Sequence, residues 1–372
     1  MKQEEDLSMY AIALSMVQGV GGKTARKMVE LAGGIERVFE LNPRGFGEIK
    51  GIKTMVIESL QNDRVLDRAR EEWKRVRKQG IDVLFVGDSN YPFRFARCPD
   101  APVVLYKKGS IGLNGKRLLS IVGTRKCSAY GKEMTEKIVR ELAEYNVIIV
   151  SGLAYGIDIA AHRAALKYEL PTIACMAQGL DRIYPGVHAK EANQILSEGC
   201  WLSEFPTNHR PKREHFPARN RIIAGISDAT LVVESDVKGG SMLTADLASS
   251  YHRDVMAVPG SVFSEKSKGP HALVLALKGS LVTSGNDIAK LMSWQKVKSV
   301  EQVSLFPDLS KDDLEVLSML QSNPMHIDQL SMEYDHGRGK LMQVLLSMEM
   351  RGLVKTMPGS RYAVSGALEG IH

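Results

Sequence analysis

The chain has 372 residues, more than one hydrophobic core usually holds, so two or three domains are expected. A quarter of the residues are charged and the formal net charge is +6, a modest basic excess that leans toward polyanionic partners without requiring one. Cys98, Cys127, Cys175 and Cys200 are scattered, no apolar run would cross a bilayer, and Met-Lys-Gln-Glu-Glu-Asp does not open a secretory leader; a disulfide scaffold and a membrane protein are excluded, and reduced thiols in the cytoplasm are expected.

From Leu7 to about Leu66 apolar residues fall at helical spacing, among them Ile12, Met16, Met28, Leu31, Val38 and Phe39. Residues 1–78 are therefore expected to form an all-helical domain of the SAM or helix-hairpin-helix kind. Within it, Val17-Gln-Gly-Val-Gly-Gly-Lys-Thr-Ala matches a helix-hairpin-helix turn, in which Gly19 and Gly21 would let backbone N–H groups approach a phosphate. The alternative is a plain tight turn between packed helices.

Residues 79–294 change texture. Short β-branched runs, Val83–Val86, Leu118–Val122, Val147–Val150, Thr172–Met176, Ala229–Glu234 and Val255–Val258, alternate with helical stretches, which predicts a parallel sheet. Runs that are apolar at every position, such as Val147-Ile-Ile-Val, must be buried on both faces. The expected fold is α/β, an extended Rossmann-like, doubly wound parallel sheet. A polar linker is expected over 295–309. Over 310–372 three helical patterns precede Leu353-Val-Lys-Thr-Met, a Pro358-Gly359 turn and Arg361-Tyr-Ala-Val, the order of a winged helix. Its third helix, the would-be recognition helix, carries Arg338, Lys340, Glu349 and Arg351 among methionines and leucines, a thin positive face that suits a protein partner or weak DNA contact.

Ligands of a doubly wound sheet sit at the carboxyl ends of its strands. Three such ends carry small residues: Gly123-Thr124-Arg125, Ser151-Gly152-Leu153-Ala154-Tyr155-Gly156 and Gly239-Gly240-Ser241. Their N–H groups and the Arg125 fork would make a phosphate cradle. Neither of the first two turns is G-x-G-x-x-G, and no G-x-x-x-x-G-K-[ST] occurs, so neither a dinucleotide nor ATP hydrolysis is expected. Between Pro211 and Gly225 lies a basic stretch. There, or just before it, Arg210, Lys212, Arg213, Arg219 and Arg221 face a single acid, Glu214, and Phe216 offers a flat face on which a base can stack. The alternative is a solvated loop whose Phe216 plugs the core.

Catalytic groupings are thin. Asp158 and His162 lie four residues apart on one helix face, an acid–base spacing that is more often structural. Glu204 and Glu234 read as hydrogen-bond anchors and His188 as a loop-fixing side chain, and no metal site assembles at recognised spacing.

A series of strings in one order resembles the DNA-processing protein A family, DprA or Smf. They are Ser120-Ile-Val-Gly-Thr-Arg, Ser151-Gly-Leu-Ala-Tyr-Gly-Ile-Asp-Ile-Ala-Ala-His, Gly179-Leu-Asp-Arg-Ile-Tyr-Pro, Ser203-Glu-Phe-Pro, His215–Gly225, Gly239-Gly-Ser-Met-Leu-Thr-Ala and Val255-Met-Ala-Val-Pro-Gly. The resemblance implies a homodimer that binds and protects single-stranded DNA and loads RecA during natural transformation, with no catalysis and no cofactor. It implies that Arg125 and Arg213 grip phosphates, that Phe216 stacks on a base, and that Asn220, Gly240 and Ser241 line the same pocket. Gly123, Ser151, Gly152, Arg219, Arg221 and Thr244 complete the candidate site. Arg213 stands where many relatives have lysine, which keeps the charge; His271 stands where an asparagine is common, in a region the family uses for dimerisation. The competing reading is a Rossmann-type nucleotide-processing enzyme, such as a phosphoribohydrolase. Its P-G-G-x-G-T-x-x-E pattern is not met by Lys238-Gly-Gly-Ser-Met-Leu-Thr-Ala-Asp-Leu.

Overall fold

Apolar side chains three and four positions apart wind the first segment into helices α1 (Lys2–Met16), α2 (Gly22–Ala32), α3 (Thr54–Leu60) and α4 (Asp63–Lys78). On α4 the inward face is Val65, Ala69, Glu72 and Val76, and Asn62 caps the helix by accepting from Arg64 N at 3.1 Å. The computed structural model describes residues 2–40, 54–60, 62–296, 310–320 and 324–365, which fall into two units, Met1–Lys296 and Val297–His372. The linker expected at 295–309 lies, from residue 297 on, outside the described residues.

The first unit continues through β1 (Asp82–Phe85), α5 (Phe93–Ala96), β2 (Val104–Lys108), β3 (Arg117–Val122), α6 (Ala129–Leu142), β4 (Val147–Ser151), α7 (Ile157–Lys167), β5 (Thr172–Cys175), α8 (Ala189–Ile195) and β6 (Cys200–Ser203). It ends with α9 (His215–Ile226), β7 (Ala229–Val232), α10 (Gly240–Ser250), β8 (Asp254–Ala257), α11 (Lys268–Leu275), β9 (Ser280–Leu281) and α12 (Gly285–Leu291). The strands form one sheet in the order β1-β2-β6-β5-β4-β3-β7-β8-β9. From β6 to β9 every pairing is parallel, whereas β1 and β2 join at one edge in antiparallel fashion. The doubly wound parallel sheet expected from the sequence is present, and the antiparallel pair extends it at that edge.

Period-two alternation divides the sheet's side chains between two cores. Leu118, Ile148 and Val150 pack with Ile222 and Ile223 of α9 and Ala245 and Ala248 of α10. Leu119, Ile121, Val147 and Ile149 pack on the other face with Ile138 and Leu142 of α6, Ala161 of α7 and Ile288 of α12. Strands apolar throughout therefore carry helices on both sides, as their composition requires. The helical segment shares the first of these cores, since Met9, Ile12, Met28 and Val76 belong to it. Two polar contacts fasten it: Gly22 N donates to Ala101 O at 3.1 Å, and the buried Glu72 carboxylate accepts from Thr207 N and Thr207 Oγ1, each at 2.6 Å.

The second unit holds α13 (Lys311–Leu320), β10 (Met325–His326), α14 (Ile327–Glu333), α15 (Arg338–Met350), β11 (Val354–Met357) and β12 (Arg361–Val364). The expected hairpin gains β10 as a third strand, in the order β10-β12-β11, around a core of Val316, Leu330, Leu341, Leu345 and Met348. This is a winged helix. No described helix is long and apolar enough to cross a membrane.

Candidate nucleic-acid interface

The parallel sheet grows outward from β3, through β4, β5 and β6 on one side and β7, β8 and β9 on the other, so the winding reverses beside β3. A crevice opens at the carboxyl ends of strands where winding reverses. Here it encloses about 470 Å³ and is lined by Gly123, Thr124, Arg125 and Lys126 after β3, Ala154 from the β4–α7 turn, Asp158 of α7, Phe216, Arg219 and Asn220 of α9, and Ser235, Asp236, Gly239, Gly240, Ser241 and Thr244 after β7. Segments far apart in sequence thus meet at one place.

Helical periodicity sorts the basic stretch. Because α9 begins at His215, Phe216 and Asn220 share a face one turn apart, Arg219 turns inward and Arg221 lies on the far flank. Phe216 is half-buried, with the exposed Arg125 guanidinium 5.1 Å from its ring centroid and the Tyr184 ring 6.0 Å away. Arg213 and Lys212 are exposed, make no ion pair among the described residues, and line an adjoining cleft of about 550 Å³ together with Arg125, Tyr184 and Phe216. Across the crevice, α10 starts at Gly240 with no side-chain cap, so its first N–H groups and the positive end of its dipole are left for an anion. Asn220 bridges the two helices, accepting from Arg219 Nε at 3.1 Å and donating to Gly240 O at 3.4 Å, while Ser241 Oγ donates to Ser235 Oγ at 2.7 Å.

Three candidate residues support this surface from beneath, and a fourth lies away from it. Arg219 is 4% exposed, and its Nη1 donates to Gly152 O and, at 2.9 Å, to Cys175 O. Gly152 is packed under that guanidinium, and a Cβ there would overlap it. Ser151 is fully buried and donates to Ile121 O at 2.7 Å. Arg221 pairs with Glu204 and donates to Asp100 O, on a different cleft that also contains Lys23 and Arg68. Lys126, Tyr184 and Asp236 were not singled out from the sequence; Lys126 beside Arg125, and Tyr184 inside the Gly179–Pro185 string, were the available signals.

The Asp158–His162 pair is divided between two environments. Asp158 borders the crevice next to Arg219, and burial raises its pKa against the opposing pull of that arginine and of the N–H groups of Ala154 and Gly152. His162 is completely buried, its Nδ1 lies 2.8 Å from Thr172 Oγ1, and burial, with the charges of Arg219 and His188, pushes its pKa down to about 3. His162 is a neutral core histidine with no path to a substrate. His188 Nδ1 fixes Leu153 O at 2.8 Å, and Glu234 accepts from Ser128 N at 2.8 Å, both as loop anchors. In the winged helix Asp312, Glu315 and His336 bring possible ligand atoms within 4.8 Å of one another, yet Lys340 Nζ already pairs with Asp312 at 2.9 Å.

Comparison with known proteins adds to this geometry. Residues 82–293 match the family model for DNA recombination-mediator protein A, and residues 304–360 match that for the DprA winged helix domain. The Smf protein of Synechocystis sp. is 31% identical over 389 residues, spanning 95% of this chain and 98% of that protein. The X-ray structure of DNA processing protein A from Streptococcus pneumoniae aligns with a TM-score of 0.64 at 33% identity, covering 77% of this chain and 98% of that one. DNA processing protein A from Helicobacter pylori, solved for its single-stranded DNA binding mode, aligns with a TM-score of 0.53 at 31% identity over 58% of this chain and 97% of its own.

Proposed function

We propose, for a chain that belongs to the DNA recombination-mediator protein A family, that it binds single-stranded DNA in the crevice beside β3 and acts as a recombination mediator without covalent chemistry. The observation that carries this reading is the Arg125 guanidinium set over the Phe216 ring opposite the uncapped start of α10. An unpaired base can lie on Phe216 while its phosphates meet Arg125, Arg213 and the N–H groups of Gly240 and Ser241; a base inside a duplex has no free face to offer. Gly123, Asn220 and Thr244 shape the pocket, and Arg219, Ser151 and Gly152 hold it in place. The single-strand binding of the H. pylori protein supports the same reading.

The test is a titration of a fluorescent oligonucleotide, single-stranded and duplex in parallel, at two salt concentrations. Binding should favour the single strand and weaken with salt by about 0.7 in log–log slope per phosphate neutralised. Equal or negligible affinity for both forms would overturn the assignment.

The finer role is protection of incoming strands and loading of RecA during natural transformation, performed by a homodimer in the cytoplasm. Exposed apolar side chains on α11 and the segments flanking it, between β8 and β9, support dimerisation: Phe263 is 94% exposed, Leu277 93%, Leu275 84% and Val262 72%. Leu275→Arg combined with Leu277→Glu is expected to give a monomer in sedimentation equilibrium at concentrations where the parent chain is dimeric, and a dimer that survives would move the interface elsewhere. In the winged helix, Arg338 pairs with Asp328 at 3.0 Å, Lys340 with Asp312 at 2.9 Å and Arg351 with Asp313 at 2.6 Å. With these cations engaged, the exposed face of α15 shows Met342, Leu346 and Met350 at four-residue spacing, which favours a protein partner over duplex DNA.

A further inference from the structure

Arg125 stands at a junction. Besides lining the Phe216 crevice and the Arg213 cleft, it lines a third cleft of about 420 Å³ bounded by α6 and α7. Lys126, Lys132, Arg163 and Lys167 border this cleft against one carboxylate, Glu136. Lys167 pairs with Glu136 at 2.5 Å and Arg163 with Glu191 at 2.7 Å, so those two cations are partly neutralised. Lys126 and Lys132 are exposed and make no ion pair among the described residues. Two unpaired lysines and Arg125 thus face one concavity.

The cleft also holds an aromatic side chain that the crevice does not use. Tyr155 is 47% exposed at the tip of the β4–α7 turn, and its ring meets His188 edge-on at 5.0 Å and 63°. His188 is itself fixed through Leu153 O, so Tyr155 is oriented although it is exposed. Its turn is locked to the loop that carries Arg125. Ile157 N donates to Thr124 O at 3.2 Å, and Gly156, at φ 78°, sits so close to Thr124 and Arg125 that a Cβ would overlap their backbone. Phe216, Arg125 and Tyr155 are therefore parts of one rigid surface at the carboxyl end of the sheet.

We propose that this third cleft is a second subsite for the same strand: single-stranded DNA leaving the Phe216 crevice passes over the 123–126 loop, a base stacks on Tyr155, and Lys126 and Lys132 meet the phosphates beyond Arg125. The inference rests on the single-strand reading above and extends it to the length of strand held. Solvated lysines alone would need no ligand. An oriented, half-exposed aromatic between them, continuous with a cationic crevice, is the combination that nonspecific strand binding uses.

Affinities for oligothymidylates of about 4 and about 16 nucleotides, compared by fluorescence anisotropy, test the proposal. Tyr155→Ala with Lys132→Ala should weaken the longer strand about ten-fold and lower its salt slope by about 0.7, while affinity for the shorter strand changes less than about two-fold. Lys132→Glu alone, which leaves the Tyr155–His188 contact intact, should reproduce part of the loss. If both variants bind the longer strand like the parent while Phe216→Ala still releases it, the second subsite is overturned and the crevice stands. If Phe216→Ala also binds like the parent, the crevice reading falls, and the subsite falls with it.

Discussion

A chain carrying Arg213→Glu and Phe216→Ala is expected to lose single-stranded DNA binding by roughly two to three orders of magnitude while keeping its fold. Stacking on one aromatic contributes about 1–3 kcal/mol per base. Reversing the charge at Arg213 turns a phosphate attraction into a repulsion and removes about 0.7 from the salt slope. Neither change should disturb packing much. Arg213 is exposed and outside any ion pair among the described residues, and the half-buried Phe216 gives up chiefly its contacts with Arg125 and Tyr184. A cation–aromatic pair of this kind contributes about 0.5–1 kcal/mol at an exposed site. Anisotropy titration of a labelled oligonucleotide reads the loss, and thermal denaturation reads the fold. A variant that melts like the parent and binds like it would remove Phe216 and Arg213 from the interface.

The parts of the fold legible in the sequence were those in which burial leaves a one-dimensional pattern. Val147-Ile-Ile-Val and Leu118–Val122 read as two-sided strands because both faces of the sheet are covered, and every apolar position has a partner. β2, Val104-Leu-Tyr-Lys-Lys, escaped because its polar end pairs antiparallel with β1 and β6 at a less covered margin; β6, Cys-Trp-Leu-Ser, has no β-branched residue. β9 and β10 are two residues each, too short for any period. At the site, the glycine turns were legible because chain reversal at a strand end needs small residues. The basic stretch was legible as charge and illegible as geometry. Read along the chain, Arg213, Arg219 and Arg221 are alike; in the structure Arg213 sits in the exposed turn before α9, while the helix from His215 onward turns Arg219 to the core and Arg221 to the flank. That Tyr155 and Arg125 border one cleft could not be read at all, since it depends on two turns from different strands being locked through Thr124.

Arg219 separates the two meanings of an arginine in this region. Arg219→Met is expected to destabilise the fold by about 1–3 kcal/mol for each buried carbonyl that loses its donor. The guanidinium is buried, serves the carbonyls of Gly152 and Cys175, and is the nearby positive charge that holds down the pKa of buried Asp158. Without it both carbonyls lose a donor, and the carboxyl, already raised by burial, rises further. A carboxyl whose pKa is higher in the folded than in the unfolded chain binds more protons when folded, so its effect is least unfavourable at low pH and grows as pH rises through the folded value. The deficit of the variant against the parent should therefore shrink as pH is lowered from neutral, because the folded Asp158, with its raised pKa, takes up its proton before the ordinary carboxyl range is reached. Urea denaturation of both chains at neutral and mildly acid pH measures that difference. A deficit that stays the same at both pH values would show that Arg219 acts through its carbonyl contacts alone, and parent-like stability would return it to the group of arginines free to meet DNA.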